Sequence, residues 1–343
     1  MPDQILQLYG IQPDGSKIEL FGNGLINHTW KVSTSDAIYI LQQINQEVFK
    51  HPQLIDQNLK KLKEFLALHY PDYLFVSPLP ALSGKTLVHS SKGYFRLFPF
   101  IKESRSLSVL NKKEHAFEAA KQFGKFSRLL NNFDVQALAV TLPDFHNLSL
   151  RYLQFLDACK TASTDRKEKA KECITFITEQ QHIVTTFEQL VSQKTIPLRV
   201  IHHDTKISNV LFDNKDQGIC VIDLDTVMPG YFISDVGDMM RTYLSAVTEE
   251  ETDFDQITIR KDYFHAIYAG YMEEMGNVLN LAEKEYFSYA GKFIIYMQAI
   301  RFITDYLQND SYYGSNYDGH NLNRGKNQLS LLKKYMEMEK EMN

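Results

Sequence analysis

The chain of 343 residues is poor in cysteine and has no long apolar run. Its three cysteines, Cys159, Cys173 and Cys220, lie far apart and in no metal-ligand spacing. No stretch approaches the length of a membrane span, and the N-terminus has no basic segment followed by an apolar one. These absences predict a protein of the reducing cytoplasm without a membrane partner.

The chain also lacks an excess of positive charge. It has 37 Lys and Arg against 42 Asp and Glu, a net charge of −5. Because nucleic acid is bound by a basic face, it is not an expected partner. Hydrophobic residues make up 44% and charged residues 23%, which argues against disorder. The length allows two lobes with a large core.

Residues 198–226 place polar side chains between short apolar segments. Strands are predicted over residues 198–201, 210–212 and 219–222, forming a hairpin with acids at both ends. The polar loop after the first strand begins at His202 and has the spacing H-x-D-x-K-x-x-N. This spacing matches the H-R-D-x-x-x-x-N catalytic loop of kinases.

Phosphoryl transfer needs a carboxylate that accepts the proton of the acceptor hydroxyl, and an amide oxygen and a second carboxylate that hold Mg²⁺. The pattern predicts Asp204 as the base, with Asn209 and Asp223 as the metal ligands. Lys206 would reach the transferred phosphate. Each residue alone is more often an ordinary loop residue, but the combination between apolar strands favours catalysis.

A glycine-rich turn lies near the start of the chain. Gly22, Asn23 and Gly24 would let the backbone approach a phosphate closely, and Asn27 and Lys31 follow them. A hairpin turn without a ligand is the commoner meaning of such a sequence. The nucleotide-binding interpretation therefore depends on the catalytic loop downstream.

The phosphate-pairing Lys of kinases has no counterpart after the next predicted strand, at residues 37–41. Gln42 or Gln43 stands there, and neither carries a charge. Either Lys31, Lys206 or another cation supplies the positive charge that pairs with the phosphates, or Mg²⁺ supplies more of that charge. The departure leaves open a catalytically silent protein that binds a sugar or a nucleotide. The intact catalytic loop argues against that alternative.

The composition changes from strand-rich to helix-rich near residue 101, which divides the chain into lobes at 1–101 and 102–343. The connector Pro99-Phe100-Ile101 would offer backbone groups to adenine, unless it is only a buried strand and linker. Apolar spacing predicts one main helix from Leu54 in the first lobe. Helices of the second lobe are predicted over residues 112–131, 151–159, 167–192, 257–274 and 283–307. The segment after Asp223 lacks the A-P-E element that holds protein substrates, so a small molecule is the expected acceptor.

With the catalytic loop, Asp223 and Asp235-Val236-Gly237-Asp238, the chain resembles the aminoglycoside phosphotransferase and choline kinase-like superfamily. It is most similar to the N-acetylhexosamine 1-kinases within it, at residues 98–101, 143–147, 221–230, 301–307 and 320–322. The resemblance implies an α+β, protein kinase-like two-lobe fold. A small antiparallel-sheet lobe with one main helix would bind ATP and Mg²⁺ above a larger, mostly helical lobe.

The resemblance also implies transfer of phosphate to the anomeric hydroxyl of N-acetylglucosamine or N-acetylgalactosamine. The candidates for the sugar pocket are His146, Asp225, Arg301, Asp305 and Tyr306. His146 and Tyr306 could equally be core polar groups satisfied by their neighbours. A kinase of another small alcohol or amino sugar, of the aminoglycoside, choline or homoserine type, is the alternative. A choline site would need an aromatic cage and acids.

Overall fold

The computed structural model describes residues 2–22 and 26–342, which form two lobes. The smaller lobe contains a five-stranded antiparallel sheet in the order β1-β2-β3-β5-β4. Its strands are β1 Lys17–Leu20, β2 His28–Ser33, β3 Ile38–Gln43, β4 Val88–Ser90 and β5 Gly93–Pro99. With the helical second lobe, this sheet confirms the predicted α+β fold class.

The two faces of this sheet have different partners, because side chains alternate along each strand. One face packs against a short helix, α1 Pro2–Leu8, which the sequence analysis did not predict. The buried residues of this small core are Ile5, Leu6, Val32, Leu41, Phe95 and Leu97. The other face looks into the cleft between the lobes and carries Thr29, Gln42 and Arg96, which are direct cross-strand neighbours.

Helix α2, Pro52–His69, confirms the main helix of the smaller lobe. It begins with a proline, which the first helical turn tolerates because its N–H groups have no partner within the helix. Its buried residues Ile55, Leu59, Leu62 and Leu66 form one face. That face joins the core of the larger lobe. The boundary at residue 101 stays a prediction.

The larger lobe is mostly helical. Its helices are α3 Lys113–Leu129, α4 Leu148–Thr161, α5 Thr164–Lys169, α6 Lys171–Glu179, α7 His182–Ser192, α8 Phe232–Tyr243, α9 Lys261–Met275, α10 Leu281–Glu285, α11 Tyr289–Leu307 and α12 His320–Met342. The single helix predicted over residues 167–192 is wrong, because turns at Ala170 and at Gln180 divide it into three. A turn after Glu285 likewise divides the helix predicted over 283–307.

Helix α11 lies at the centre of this lobe, and most of its 19 residues are buried. It packs against α4, α8 and α12. Gly237 permits the contact with α8, since a Cβ there would lie 2.2 Å from the Ala290 carbonyl oxygen. Within the described part of the chain, no helix combines the length and the apolar composition that a membrane crossing requires.

The segment with the predicted catalytic residues contains four short strands: β6 Arg199–Ile201, β7 Val210–Phe212, β8 Gly218–Val221 and β9 Met228–Gly230. β7 and β8 form the predicted antiparallel hairpin. β6 does not join it and pairs instead with β9, an unpredicted strand. The two pairs bring the loop before β7 and the acid after β8 to the cleft.

Candidate active site

The loop between β6 and β7 places the predicted base, Asp204, beside Lys206, predicted to reach the transferred phosphate, and Asn209, a predicted metal ligand. The Lys206 ammonium lies 3.0 Å from one carboxylate oxygen of Asp204. Asn209 donates its side-chain N–H to the other oxygen at 3.1 Å and to the Asp204 main-chain oxygen at 2.9 Å. The Asp204 side chain is 23% exposed, so a substrate hydroxyl can reach it.

These contacts determine the charge of Asp204. Burial would raise the pKa of this carboxyl, but the charge of Lys206 and the hydrogen bonds from Lys206 and Asn209 outweigh it. The net effect holds the pKa of Asp204 below its usual range. Asp204 is therefore ionised at neutral pH and able to accept a proton.

The other two predicted metal-site atoms face the same space. The Asn209 amide donates to Asp204, an orientation that leaves its carbonyl oxygen for a cation. Asp223 follows β8 in a left-handed conformation, φ 59°, and its carboxylate accepts no hydrogen bond from the described residues. One amide oxygen and one carboxylate fit Mg²⁺ that is held jointly with nucleotide phosphates. Among the described residues, no cluster of three or more His, Cys, Asp or Glu could hold a metal by itself.

The Asp223 carboxyl lies deep in the cleft but is open to solvent along it. Desolvation by the surrounding protein, followed by the neighbouring carboxylates of Asp225 and Asp204, raises the pKa of Asp223 above its usual range. Because the residue is exposed along the cleft, the rise is smaller than for a fully buried carboxyl. A divalent cation would relieve the repulsion among the three carboxylates, which is further chemical support for a metal here.

Helix α8 holds the catalytic loop in place, a role the sequence analysis did not assign to it. Asp235 accepts the main-chain N–H of His202 at 2.9 Å and that of His203 at 2.7 Å. Asp238 accepts the N–H of Thr205 at 2.9 Å. Burial raises the pKa of Asp235 to about 7, and the two main-chain donors oppose that shift. A helical apolar pattern at Phe232, Ile233, Val236, Met239, Met240 and Tyr243 could have identified this helix.

Two buried imidazoles support the loop from behind. His202 is hydrogen-bonded to the Ile222 carbonyl at 2.9 Å and His203 to the Thr226 carbonyl at 3.0 Å. Burial lowers the pKa of both, that of His203 to about 3, so both rings are neutral. His203 packs directly on Gly230, where a Cβ would lie 2.4 Å from its ring. Glycine is therefore required at this point of β9.

A cavity of about 250 Å³ lies between the lobes above the metal-site residues. Apolar side chains form much of its wall, which suits a flat base: Ile40, Leu59, Val76, Phe98, Leu211 and Ile222. The predicted nucleotide residues Gly22, Pro99, Phe100 and Ile101 line it, together with Asn209 and Asp223. Asn23 and Gly24, predicted for the same role, lie outside the described residues.

The remaining predicted nucleotide residues lie at the same cleft. The Lys31 ammonium sits 4.9 Å from the centre of the Phe100 ring. Asn27 donates to Asp225 across the lobes at 2.9 Å, and Arg96 of β5 lies 2.6 Å from the other oxygen of Asp225. Asp225 was predicted to bind the sugar. It is 2% exposed, and a sugar contact would require it to exchange one of these partners.

A chain of ring contacts joins two predicted sugar residues to the catalytic loop. His203 packs against His146 with ring centres 5.4 Å apart, and His146 stacks on Phe145 at 4.4 Å. The Arg301 guanidinium lies 5.9 Å from the Phe145 ring. Burial, together with the charge of Arg301, lowers the pKa of His146 well below its usual value. His146 Nδ1 is buried and finds no partner among the described residues.

Asp305 and Tyr306 are positioned differently from these two. Asp305 is 2% exposed and accepts the main-chain N–H groups of Tyr312 and Tyr313 at 2.7 and 3.0 Å. It therefore shapes the loop that bears these tyrosines. Tyr306 is also 2% exposed, and its ring packs under Arg166 at 4.5 Å. These contacts favour a structural role for both residues over direct contact with a sugar.

The sequence analysis did not assign several residues that surround Arg301. The rings of Tyr312 and Tyr313 lie 5.9 and 5.5 Å from its guanidinium, and Tyr312 is 73% exposed. Arg151 is close enough for the charge of Arg301 to contribute, after burial, to a lowered pKa. Within residues 2–22 and 26–342, neither arginine forms an ion pair with a carboxylate.

Comparison with known proteins identifies the family. A model of the Phosphotransferase enzyme family, APH, matches residues 17–273, which is well over half of the chain. The chain belongs to this family. It is thus a small-molecule phosphotransferase with a hydroxyl acceptor, and the resemblance to the aminoglycoside phosphotransferase and choline kinase superfamily is confirmed.

Solved structures with similar folds include three kinases. Spectinomycin phosphotransferase, in complex with ADP and spectinomycin, is 15% identical over 98% of this chain and 97% of that chain, with a TM-score of 0.62. A microcompartment-associated aminopropanol kinase is 16% identical over 98% and 97%, with a TM-score of 0.60. Choline kinase from Cryptosporidium parvum Iowa II is 15% identical over 96% and 92%, with a TM-score of 0.57. At these identities the likeness shows the fold, and it confirms the kinase-like two-lobe architecture.

Proposed function

We propose that this phosphotransferase uses ATP and Mg²⁺ to phosphorylate the anomeric hydroxyl of an N-acetylhexosamine. The observation that carries the choice of acceptor is the surroundings of Arg301. Its guanidinium lies among aromatic rings, without a carboxylate partner in the described chain, on a path of ring contacts to the catalytic loop.

The phosphoryl-transfer half of the proposal assigns one role to each residue of the cluster. Asp204, ionised and partly open to the cleft, accepts the proton of the acceptor hydroxyl. Lys206, now paired with Asp204, neutralises charge on the transferred phosphate. The Asn209 amide oxygen and the Asp223 carboxylate would hold Mg²⁺, which would neutralise part of the negative charge on the phosphates. The ADP bound to spectinomycin phosphotransferase supports an adenine nucleotide as the donor.

The acceptor half depends on charge. A cationic acceptor such as choline or an aminoglycoside needs free carboxylates or an aromatic cage without competing cations. Here Glu249 pairs with Arg241 at 3.1 Å and with Arg324, and Asp238 pairs with Arg241 at 3.1 Å. Because Glu249 and Asp238 are already paired, and Arg301 has no carboxylate partner among the described residues, we favour a neutral acceptor that offers oxygen atoms to a guanidinium.

An N-acetylhexosamine meets these requirements. Its acetamido carbonyl and ring hydroxyls can accept hydrogen bonds from Arg301, and its apolar ring face can stack on an exposed aromatic such as Tyr312. The anomeric hydroxyl is more acidic than an ordinary alcohol, so a carboxylate such as Asp204 is a better-matched base for it. Both arguments lead to a hexosamine 1-phosphate as the product.

A panel assay tests the proposal. The purified protein is given ATP, Mg²⁺ and, one at a time, N-acetylglucosamine, N-acetylgalactosamine, their methyl glycosides, choline, homoserine and an aminoglycoside. We expect ADP release with the free sugars only, and phosphorus NMR of the product should show coupling to the anomeric proton. Brisk turnover of a methyl glycoside or of choline would refute the assignment.

An arginine variant tests the acceptor site itself. Arg301→Met should raise the KM for the sugar about 10-fold or more, because a hydrogen bond from a charged donor is lost. Arg301→Lys should recover part of the lost affinity for the sugar. The KM for ATP should be unchanged in both variants. The matched control is Arg128→Met, which removes an arginine paired with Glu274 at 2.7 Å elsewhere on the lobe.

A further inference from the structure

Gln42 lies where kinases place the phosphate-pairing Lys, and the residue directly opposite it in the sheet carries a positive charge. In the sheet register, Gln42 of β3 lies directly across from Arg96 of β5. The Gln42 side-chain oxygen accepts hydrogen bonds from Arg96 Nε at 3.1 Å and from Nη2 at 2.9 Å. Since paired residues share a face of the sheet, the neutral Gln42 and the charged Arg96 point to the same side.

That side is the nucleotide cavity. Gln42 and Arg96 both line it, with Asn209 and Asp223 on the opposite wall. Arg96 is only 3% exposed and is held at Nη1 by Asp225, 2.6 Å away. A fixed guanidinium with several donors, facing the metal-site residues across a cavity, is a good partner for phosphate oxygens.

The other two candidate cations lie at the ends of the site. Lys31 packs over Phe100, next to the connector between the lobes. Lys206 is paired with Asp204, where the acceptor hydroxyl would be. Arg96 lies between them, on the sheet face above Asn209 and Asp223. Phosphates that run from the adenine end to the base would pass this guanidinium.

We infer that Arg96 is the cation that pairs with the nucleotide phosphates in this enzyme, and that Asp225 is the acid that positions it. The inference rests on the proposed use of ATP. The acid comes from the larger lobe and not from helix α2, in which Asp56 accepts from Thr86 and Glu64 is exposed. The pair therefore also ties the sheet to the catalytic lobe.

Calorimetric titration without Mg²⁺ and without acceptor separates this role from metal binding and from turnover. The parent protein should bind ATP and ADP more tightly than adenosine, because only the nucleotides offer phosphates to Arg96. Arg96→Met should lose about 10-fold or more of that preference, with adenosine affinity unchanged. Arg96→Lys should keep part of it. Lys17→Met, which removes an exposed β1 cation paired with Glu19, should leave the preference intact.

A second variant covers the risk that Arg96→Met fails to fold, because it leaves the buried Asp225 without its cation. Arg96→Met combined with Asp225→Asn removes both charges and should fold, yet it should still lack the preference for ATP over adenosine. Adding Gln42→Lys to this double variant should restore the preference, since it returns a cation to the same sheet face.

The outcomes distinguish this inference from the function on which it rests. If the parent binds neither ATP nor adenosine, in this titration and in a parallel one with Mg²⁺, the proposed nucleotide donor is wrong and the inference falls with it. If the parent prefers ATP and the folded Arg96 variants keep the full preference, the donor stands and the role of Arg96 is refuted. Loss of preference in the Arg96 variants, with recovery through Gln42→Lys, supports the assignment.

Discussion

The Asp235 carboxylate accepts the main-chain N–H of His203 at 2.7 Å, one residue before the predicted base. Its second oxygen accepts the N–H of His202. An Asn side chain has one oxygen and one N–H₂ group. In Asp235→Asn the N–H₂ group would therefore face one of these main-chain N–H donors, which would lose its acceptor. We expect a loss of about 1–3 kcal/mol in the free energy of unfolding.

The same variant should lower kcat about 10-fold or more, because the loop that carries Asp204 would shift. Chemical denaturation and steady-state kinetics measure the two effects. Asp165→Asn on α5, with a side chain 70% exposed, is the control and should change neither. Wild-type kcat in Asp235→Asn would show that α8 does not position the loop.

Asp204→Ala should lower kcat by about 10²–10⁴-fold, the usual contribution of a positioned general base. The fold should remain and the affinity for ATP should change little, because Asp204 lies on the acceptor side of the cluster. Rapid-quench kinetics with a verified acceptor gives the rate, and calorimetry gives the affinity. Near-normal turnover would remove Asp204 from the mechanism.

Asp223→Asn removes the charge from one predicted metal ligand and keeps its shape. Activity should fall at ordinary Mg²⁺ and return in part when Mg²⁺ is raised, because mass action compensates for a weakened site. The measurement is turnover against Mg²⁺ concentration in the parent and the variant. Identical Mg²⁺ dependence in both proteins would contradict the assignment.

Gly230→Ala would place a Cβ 2.4 Å from the His203 ring and 2.6 Å from Ile201. Overpacking of this kind costs about 1–3 kcal/mol, and the displacement of His203 should reduce kcat as well. Thermal unfolding and kinetics report the two effects. Gly124→Ala, whose Cβ would meet its nearest neighbour at 3.1 Å and away from the loop, should leave kcat unchanged.

The neutral imidazole of His203 should make stability depend on pH. Burial lowers the pKa of His203 to about 3 in the folded state, whereas the unfolded chain takes up the proton near pH 6.5. The contribution of His203 to the free energy of unfolding is therefore fully present above about pH 6.5, and it decreases as the pH falls from there toward 3.

His203→Gln isolates that effect, because other titrating groups contribute equally to parent and variant. When the pH is lowered from 7.5 to 5.5, the free energy of unfolding should fall by about 1.4 kcal/mol more in the parent than in the variant. This is the effect of a single group that is protonated only in the unfolded chain, at one pH unit below its pKa there. Urea denaturation at several pH values gives both curves. Parallel curves would mean that His203 takes up its proton at the same pH in the folded and unfolded protein, so burial does not keep the ring neutral.

Local spacing indicated that the predicted catalytic residues would lie together, because they are close in sequence, and their roles stay predictions. Asp204 and Asn209 are five residues apart, and a short hairpin brings Asp223 to them. Helix α2 was similarly evident from one apolar face. Local patterns did not always succeed, since the helix predicted over residues 167–192 is divided into three.

Contacts between residues far apart in sequence could not be predicted in this way. Gln42 and Arg96 are neighbours only because of the register between β3 and β5, which about fifty residues separate. Asn27 reaches Asp225 across 198 residues. Spacing along a single sequence holds no information about such pairs, so Asp225 was assigned to the sugar and Arg96 to no role.

The attachment of α2 has a consequence for motion. Its buried face belongs to the larger core, whereas the five-stranded sheet and α1 share a separate core of only six buried residues. The sheet is thus a weaker cooperative unit resting on a stronger one, and its amide protons should exchange with solvent before those of α2. Opening of the cleft would then separate the sheet from α2 and the helices together, with Arg96 and Asp225 on opposite sides of the dividing surface.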